Sequence, residues 1–224
     1  MKYRFKIQYG RGNSSNTNSL NISESTVDEN IFEIKEGTLI KVLDTSLTKV
    51  NIPDSVVTIG DSAFMNTNLT EVVIPDSVIT IGDFAFHDIK TLTDVTIGKN
   101  VENIGASAFR STKLSKVDIP NSVETIDIGA FYKVDTLTNA TIGNGVKQIC
   151  KAAFAQTQLK EVDIPGNVET IGRSAFSLSP LEELTLNEGI TTIGDHAFYG
   201  TQLKEVDIPN SVETIDKDAF SSSP

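Results

Sequence analysis

Residues 159–165 read LKEVDIP, and the same seven letters return at 203–209; residues 122–127, SVETID, return at 211–216. Working outward from these identities, leucines at 47, 69, 92, 114, 137, 159, 181 and 203 each open a close variant of one phrase, L-x-x-V-x-I-[PG]-x-[SNG]-V-x-[TNQ]-I-[GDC]-x-x-A-F. Eight copies end in Ala-Phe, at Phe64, Phe86, Phe109, Phe131, Phe154, Phe176, Phe198 and Phe220. The leucine spacings are 22, 23, 22, 23, 22, 22 and 22, while the leucine-to-phenylalanine distance never changes. The extra residue of the longer copies falls after the phenylalanine, in HDIKT at 87–91 and YKVDT at 132–136. Length variation belongs in a loop and constant spacing in a stacked core.

A second period lies over the first. The chain divides into pairs of repeats at 47–91, 92–136, 137–180 and 181–224, and the fifth position alternates Thr96/Asp118, Thr141/Asp163 and Thr185/Asp207.

The spacing dictates an architecture. Val and Ile of L-x-x-V-x-I stand two apart, so they point to one side of an extended segment and the residue between them points out. One turn of this length cannot bury that side alone, whereas stacked turns make a continuous core. Each turn adds a strand to a parallel sheet, about 4.8 Å from the last, so eight turns give a curved or rod-like stack on the order of 38 Å long. The V-x-x-I step is expected to turn the chain, and Ala-Phe to fill the opposite wall with each ring stacked on the next.

The array resembles the BspA-like (bacterial surface antigen) class of leucine-rich repeats, whose units look like A-F-x-G-C-x-x-L-x-x-I-x-I-P-x-S-V-x-x-I-G; residues 197–212, AFYGTQLKEVDIPNSV, match closely. The likeness covers 47–224. It implies a β-rich (α/β) leucine-rich-repeat solenoid of parallel strands and, by association, surface exposure, adhesion or other protein binding. The family's frequent cysteine three residues after the phenylalanine is Thr67, Thr112, Thr157 or Thr201 here. The resemblance therefore implies that these threonines face the core. The ninth position is Ser55, Asn100, Gly145 or Asn167, so a ladder of backbone-bonding side chains there is expected to be interrupted.

Residues 1–46 break the pattern and read as a separate N-terminal segment. Tyr3, Phe5, Ile7 and Tyr9 alternate with polar residues as a strand does. Residues 11–30 are Ser/Asn-rich and read as a link. Residues 31–43, IFEIKEGTLIKVL, read as a degenerate turn or hairpin capping the core, which a solenoid requires. The last repeat has no altered cap, which reads as an end that continues in a longer chain or pairs with another copy. The basic start, MKYRFKIQYGRGNSS, contains no continuous apolar stretch of the kind a secretory leader carries. The resemblance points to the cell surface or secretion, and the leaderless start to the cytoplasm.

A formal charge of −11 argues against nucleic acid as a ligand, because phosphates would be repelled. No stretch approaches the roughly 18 apolar residues of a membrane span. The single Cys150 excludes an internal disulfide and a cysteine-based metal cage. It has no base nearby to make it a nucleophile. His87 and His196 occupy different repeat positions several turns apart, so they form no pair. The sequons at Asn13, Asn21, Asn68 and Asn139 are what an Asn- and Ser-rich chain produces by coincidence. No catalytic set, metal cluster or phosphate loop stands out, so neither an enzyme nor a bound cofactor is expected.

The pattern that remains is the outward face of the strand phrase. Lys116, Asp118, Glu161, Asp163, Glu183, Glu205 and Asp207 project from it. Asp118, Asp163 and Asp207 fall on alternate turns, roughly 9.6 Å apart, too far for a catalytic pair or shared calcium ligands. The stripe reads either as a solvated face or as an acidic strip that binds a protein with a basic surface. Two other uses of the array stay open. One is a structural element that self-associates end to end through its uncapped C-terminal end. The other is an ice-binding surface on the threonine row Thr58, Thr80, Thr125, Thr170, Thr192 and Thr214.

Overall fold

The computed structural model describes residues 31–224; the strand and link expected within 1–30, with the sequons at Asn13 and Asn21, lie outside the described residues. The repeats stack as eight turns beginning at the leucines already named, turn 1 at Leu47 through turn 8 at Leu203. Among the described residues there is no helix. Each turn has three walls, and each wall bonds to its neighbours in its own way.

The first wall is a ten-stranded sheet that runs the length of the molecule. It begins with the antiparallel hairpin Phe32–Lys35 and Thr38–Val42, onto which Thr58–Ile59 pairs in parallel. One two-residue strand follows from each turn: Thr80–Ile81, Asn103–Ile104, Thr125–Ile126, Gln148–Ile149, Thr170–Ile171, Thr192–Ile193 and Thr214–Ile215. The register never slips, so Ile stacks on Ile from Ile59 to Ile215, in the core as far as Ile193 and exposed only at the last, Ile215. The V-x-x-I step therefore does more than turn the chain, because its isoleucine lies on the longest sheet of the protein. The strands stay short because a tight turn closes at each end. Val56 N–H donates to Pro53 C=O at 3.0 Å before the strand, and Ala63 N–H to Gly60 C=O at 3.2 Å after it. The outward threonine row is real but broken by Asn103 and Gln148.

The second wall carries the phenylalanines. Their rings stack at centroid distances of 4.6–5.4 Å, and Phe32 of the hairpin closes the row edge-on to Phe64 at 6.5 Å. A further ladder runs beside them, since each Phe N–H from Phe64 to Phe198 donates to the Ala carbonyl of the next turn at 2.7–2.9 Å. Residues two before and two after each phenylalanine are left-handed, with φ of 55–62° and 58–68°. That alternation aims every second N–H along the rod and the ones between back into the same turn: Ser62 and Phe64 reach turn 2, whereas Ala63 and Met65 bond locally. Only Gly129 and Gly200 among these positions are glycine, so the wall holds most of them in a conformation that costs an L-residue roughly 1–2 kcal/mol.

Three residues after the ring, Thr67, Thr112, Thr157 and Thr201 are buried, as the family resemblance implied. The first three donate their hydroxyls to the Phe carbonyl at 2.8–3.0 Å, which removes the cost of an unpaired buried hydroxyl. In the longer turns Ile89 and Val134 take that place. The added Thr91 and Thr136 reach back to the leucines that open their own turns, bonding to Leu69 C=O and Leu114 C=O, both at 2.8 Å.

Candidate functional site

The third wall holds the L-x-x-V-x-I strands, and here the expectation of one sheet fails. The strands form three separate sheets: Lys49–Asn51 with Glu71–Val73 and Asp94–Thr96, then Lys116–Asp118 with Asn139–Thr141, then Glu161–Ile164 with Glu183–Leu186. The wall opens between turns 3 and 4, 5 and 6, and 7 and 8, always inside a repeat pair.

The seventh position accounts for this. It is Pro in turns 4, 6 and 8 (Pro120, Pro165, Pro209), and Gly98, Gly143 or Asn187 in turns 3, 5 and 7. Proline offers no N–H to the preceding turn. Asn187 does, donating to Ile164 C=O at 3.3 Å. Glycine adds close approach: a Cβ at Gly98 or Gly143 would lie 2.4 Å from the carbonyl oxygen of Pro75 or Pro120. At Gly189 it would lie 1.8 Å from that of Gly166. Odd turns thus sit down on the even turn before them and leave a gap on their other side. Pro75 does not open turn 2 from turn 1, so the missing donor needs the glycine contact beside it to split the sheet.

Two clefts mark the openings. One of about 460 Å³ between turns 3 and 4 is lined by Glu71, Asp94–Ile97, Lys116 and Asp118. A larger one of about 880 Å³ runs over Asn139–Ile142, Glu161, Asp163, Glu183, Thr185 and Asn187. All seven residues anticipated on this face are exposed. The structure brings Lys116 and Asp118 to the first cleft, and Glu161, Asp163 and Glu183 to the second, where Glu161 and Glu183 are direct cross-strand neighbours. Glu205 and Asp207 lie on turn 8, outside both clefts and outside any strand. The clefts also recruit Asn139, Thr141, Thr185 and Asn187, and Asn187 Nδ2 donates to Asp163 Oδ1 at 2.7 Å. The alternation of proline and glycine is the sequence signal that could have located them.

Charge is distributed unevenly. Six ion pairs tie successive turns along the rod, among them Lys49–Glu71, Lys113–Asp135 at 2.6 Å and Arg173–Asp195 at 3.2 Å. Among the described residues none reaches Asp118, Glu161, Asp163 or Glu183, so these four cleft carboxylates face solvent with no basic partner, whereas Glu71 at the first cleft is held by Lys49. Glu188, beside the larger cleft, is held below the ordinary carboxylate range chiefly by the Asn210 backbone N–H, assisted by Ser211.

Elsewhere the chemistry is quiet. Burial, assisted by the Asp127 charge and its hydrogen bond, pushes the Cys150 thiol up to about 11, so it stays protonated at neutral pH. His196 Nδ1 lies 2.5 Å from Asp195 Oδ1. Burial holds His87 below the usual histidine range, so it is neutral at pH 7. No cluster of three metal-ligating side chains occurs among the described residues, and no helix there is long and apolar enough to cross a membrane.

A family model described as the BspA-type leucine-rich-repeat region matches six copies, over residues 12–137 and 102–224. No curated protein matches the chain. Among solved structures it is similar to a leucine-rich repeat protein from Bacteroides ovatus, with 24% identity and a TM-score of 0.56 over 84% of this chain. This chain spans 57% of that protein's length. A leucine-rich cell surface protein from Faecalibacterium prausnitzii is 25% identical, with a TM-score of 0.51 over 81% of this chain and 69% of that one. The leucine-rich repeat protein of T. pallidum is 24% identical, with a TM-score of 0.64 over 72% of this chain and 79% of its own.

Proposed function

Because the chain belongs to the BspA-type leucine-rich-repeat family, we propose that it is a non-catalytic, surface-displayed scaffold that binds another protein through the split strand wall. The observation that carries this reading is the pair of acidic clefts opened by the proline–glycine alternation. A continuous sheet would present a flat carboxylate stripe, whereas the openings give concave relief with Asn and Thr donors beside unpaired carboxylates. That combination suits a partner with Lys or Arg side chains projecting from a surface. The cell surface protein from Faecalibacterium prausnitzii supports the placement. Glu102, Glu124 and Glu169 flank the threonine row and are exposed, a charged, hydrated border that supports protein binding over ice binding.

The test is a titration with a lysine-rich peptide, followed by calorimetry at rising salt. Binding should weaken as salt rises, since exposed charges are screened beyond about 8 Å at physiological ionic strength. Asp118→Asn, Asp163→Asn and Asp207→Asn should each lower affinity modestly and add together, being on alternate turns. Asp207→Asn should lower it least, because turn 8 lies outside the clefts. An unchanged affinity in the triple variant would remove the clefts from the binding surface.

A further inference from the structure

On the phenylalanine wall, which shares no lining residue with the clefts, one stretch departs from the acidic character of the rest. The residue after the stacked phenylalanine is buried in turns 5 and 6 (Ala155, Ser177), but in turns 2, 3 and 4 it is His87, Arg110 and Tyr132, each half-buried. Arg110 lies over the Tyr132 ring at 4.9 Å and Lys133 at 5.3 Å. Phe84 stands edge-on to His87 at 5.6 Å. Phe84 is 42% exposed and left-handed at φ 56°, a conformation that a bulky residue adopts only against resistance. The local carboxylates are taken: Asp88 pairs with Lys90 and Asp135 with Lys113, each at 2.6 Å. Among the described residues neither Arg110 nor Lys133 has an acidic partner.

We propose that this ridge of Phe84, His87, Arg110, Tyr132 and Lys133 is a second docking site, and that its occupant is an acidic peptide segment of a protein partner. Charge complementarity decides the sign of the ligand, since two unpaired cations stand together on a chain of net charge −11. Cations already lie over the Tyr132 ring, so the ridge offers no open aromatic platform on which a sugar could stack. What it presents is the guanidinium of the half-buried Arg110, whose Nε is buried without a partner, and the exposed Lys133 ammonium, held in place over a ring, beside an exposed Phe84. That surface fits carboxylate side chains flanking an apolar one, with Arg110 as the fork that carboxylates match. Tyrosine and arginine are also the residues that most often dominate protein interfaces.

The left-handed wall supplies clean variants. Lys133 has φ 58° and Phe84 φ 56°, so Lys133→Gly and Phe84→Gly remove the contact group while relieving the backbone, and neither should lower the melting temperature. The probe is a fluorescent, unstructured peptide of Asp and Glu with one central Leu, followed by anisotropy on the intact chain. Saturable binding is expected. Lys133→Gly and Arg110→Gln should each weaken it about five- to tenfold, and Phe84→Gly should weaken it for a peptide with Leu but not for one with Ser in its place. The Asp118/Asp163/Asp207→Asn variant should bind this peptide at least as well as the parent chain, which separates the ridge from the clefts. Equal binding by the folded Arg110→Gln/Lys133→Gly chain would overturn the site. Binding of polygalacturonate but not the peptide would overturn the occupant.

Discussion

Two walls of the same repeat use hydrogen bonds in opposite ways. The phenylalanine wall repeats three axial backbone bonds at nearly every step, with rings in contact throughout. The strand wall bonds fully at some steps and opens at others. Both walls belong to the same 22- or 23-residue turns, so repeat length is not the cause. The difference lies in which backbone groups are available. The left-handed residues of the phenylalanine wall present an N–H toward the next turn in every copy, whereas proline withdraws one from the strand wall in turns 4, 6 and 8. Uniform bonding makes the first wall a spine, and alternating bonding gives the second relief that a ligand could use.

Placing a charge behind the spine should do the most damage. Thr112 is fully buried with its hydroxyl on Phe109 C=O. Thr112→Lys should unfold that turn, because a buried ammonium there has no partner. Thr112→Cys should be tolerated within about 1 kcal/mol, as a small and weakly polar replacement. A Lys variant that melts like the parent would show that this residue can reach water and that the spine is looser than described.

Next comes the ring stack. Phe131→Ala should cost roughly 3–5 kcal/mol, the usual range for a buried phenylalanine, since it has stacked neighbours at 5.3 and 5.2 Å. Phe220 stacks only on Phe198 and is partly exposed, so the same change there should cost less. Equal losses in denaturant melts would sink the layered-core account.

A smaller effect is expected where the strand wall is tuned. Gly143→Ala places a methyl 2.4 Å from Pro120 C=O and should cost about 1–3 kcal/mol, typical of overpacking. It should also push turn 5 off turn 4 toward the larger cleft, and so alter peptide affinity more than Thr112→Cys does. The smallest effect belongs to the acidic face. Asp118→Asn, Asp163→Asn and Asp207→Asn combined should leave the melting temperature unchanged or slightly raised, since they relieve like-charge repulsion. A clear fall would show that those carboxylates hold the strand wall together.

Much of this was legible in the residues themselves. The constant leucine-to-phenylalanine distance located the core, the position of the insertions located a loop, and the burial of Thr112 followed from what its family carries there. These are local, periodic facts, and a repeat that cannot bury its own apolar side has to stack. The sequence also marked which residues project from the strand wall. It did not reveal that the wall is split, because that depends on how closely one turn's glycine approaches the carbonyl of the turn before it. Nor did it reveal the left-handed spine, since Ser, Ala, Lys, Leu and Phe are not residues that announce positive φ; the stacked neighbours impose it. The Arg110–Tyr132–Lys133 cluster belongs with these, for residues 22 or 23 apart meet only once turns are stacked in register. The sequence therefore determined the period, the core and the direction of each side chain, all of which a single turn encodes. Only the tertiary structure decided which turns close on each other and which stand apart, because that balance is struck between backbones of different turns.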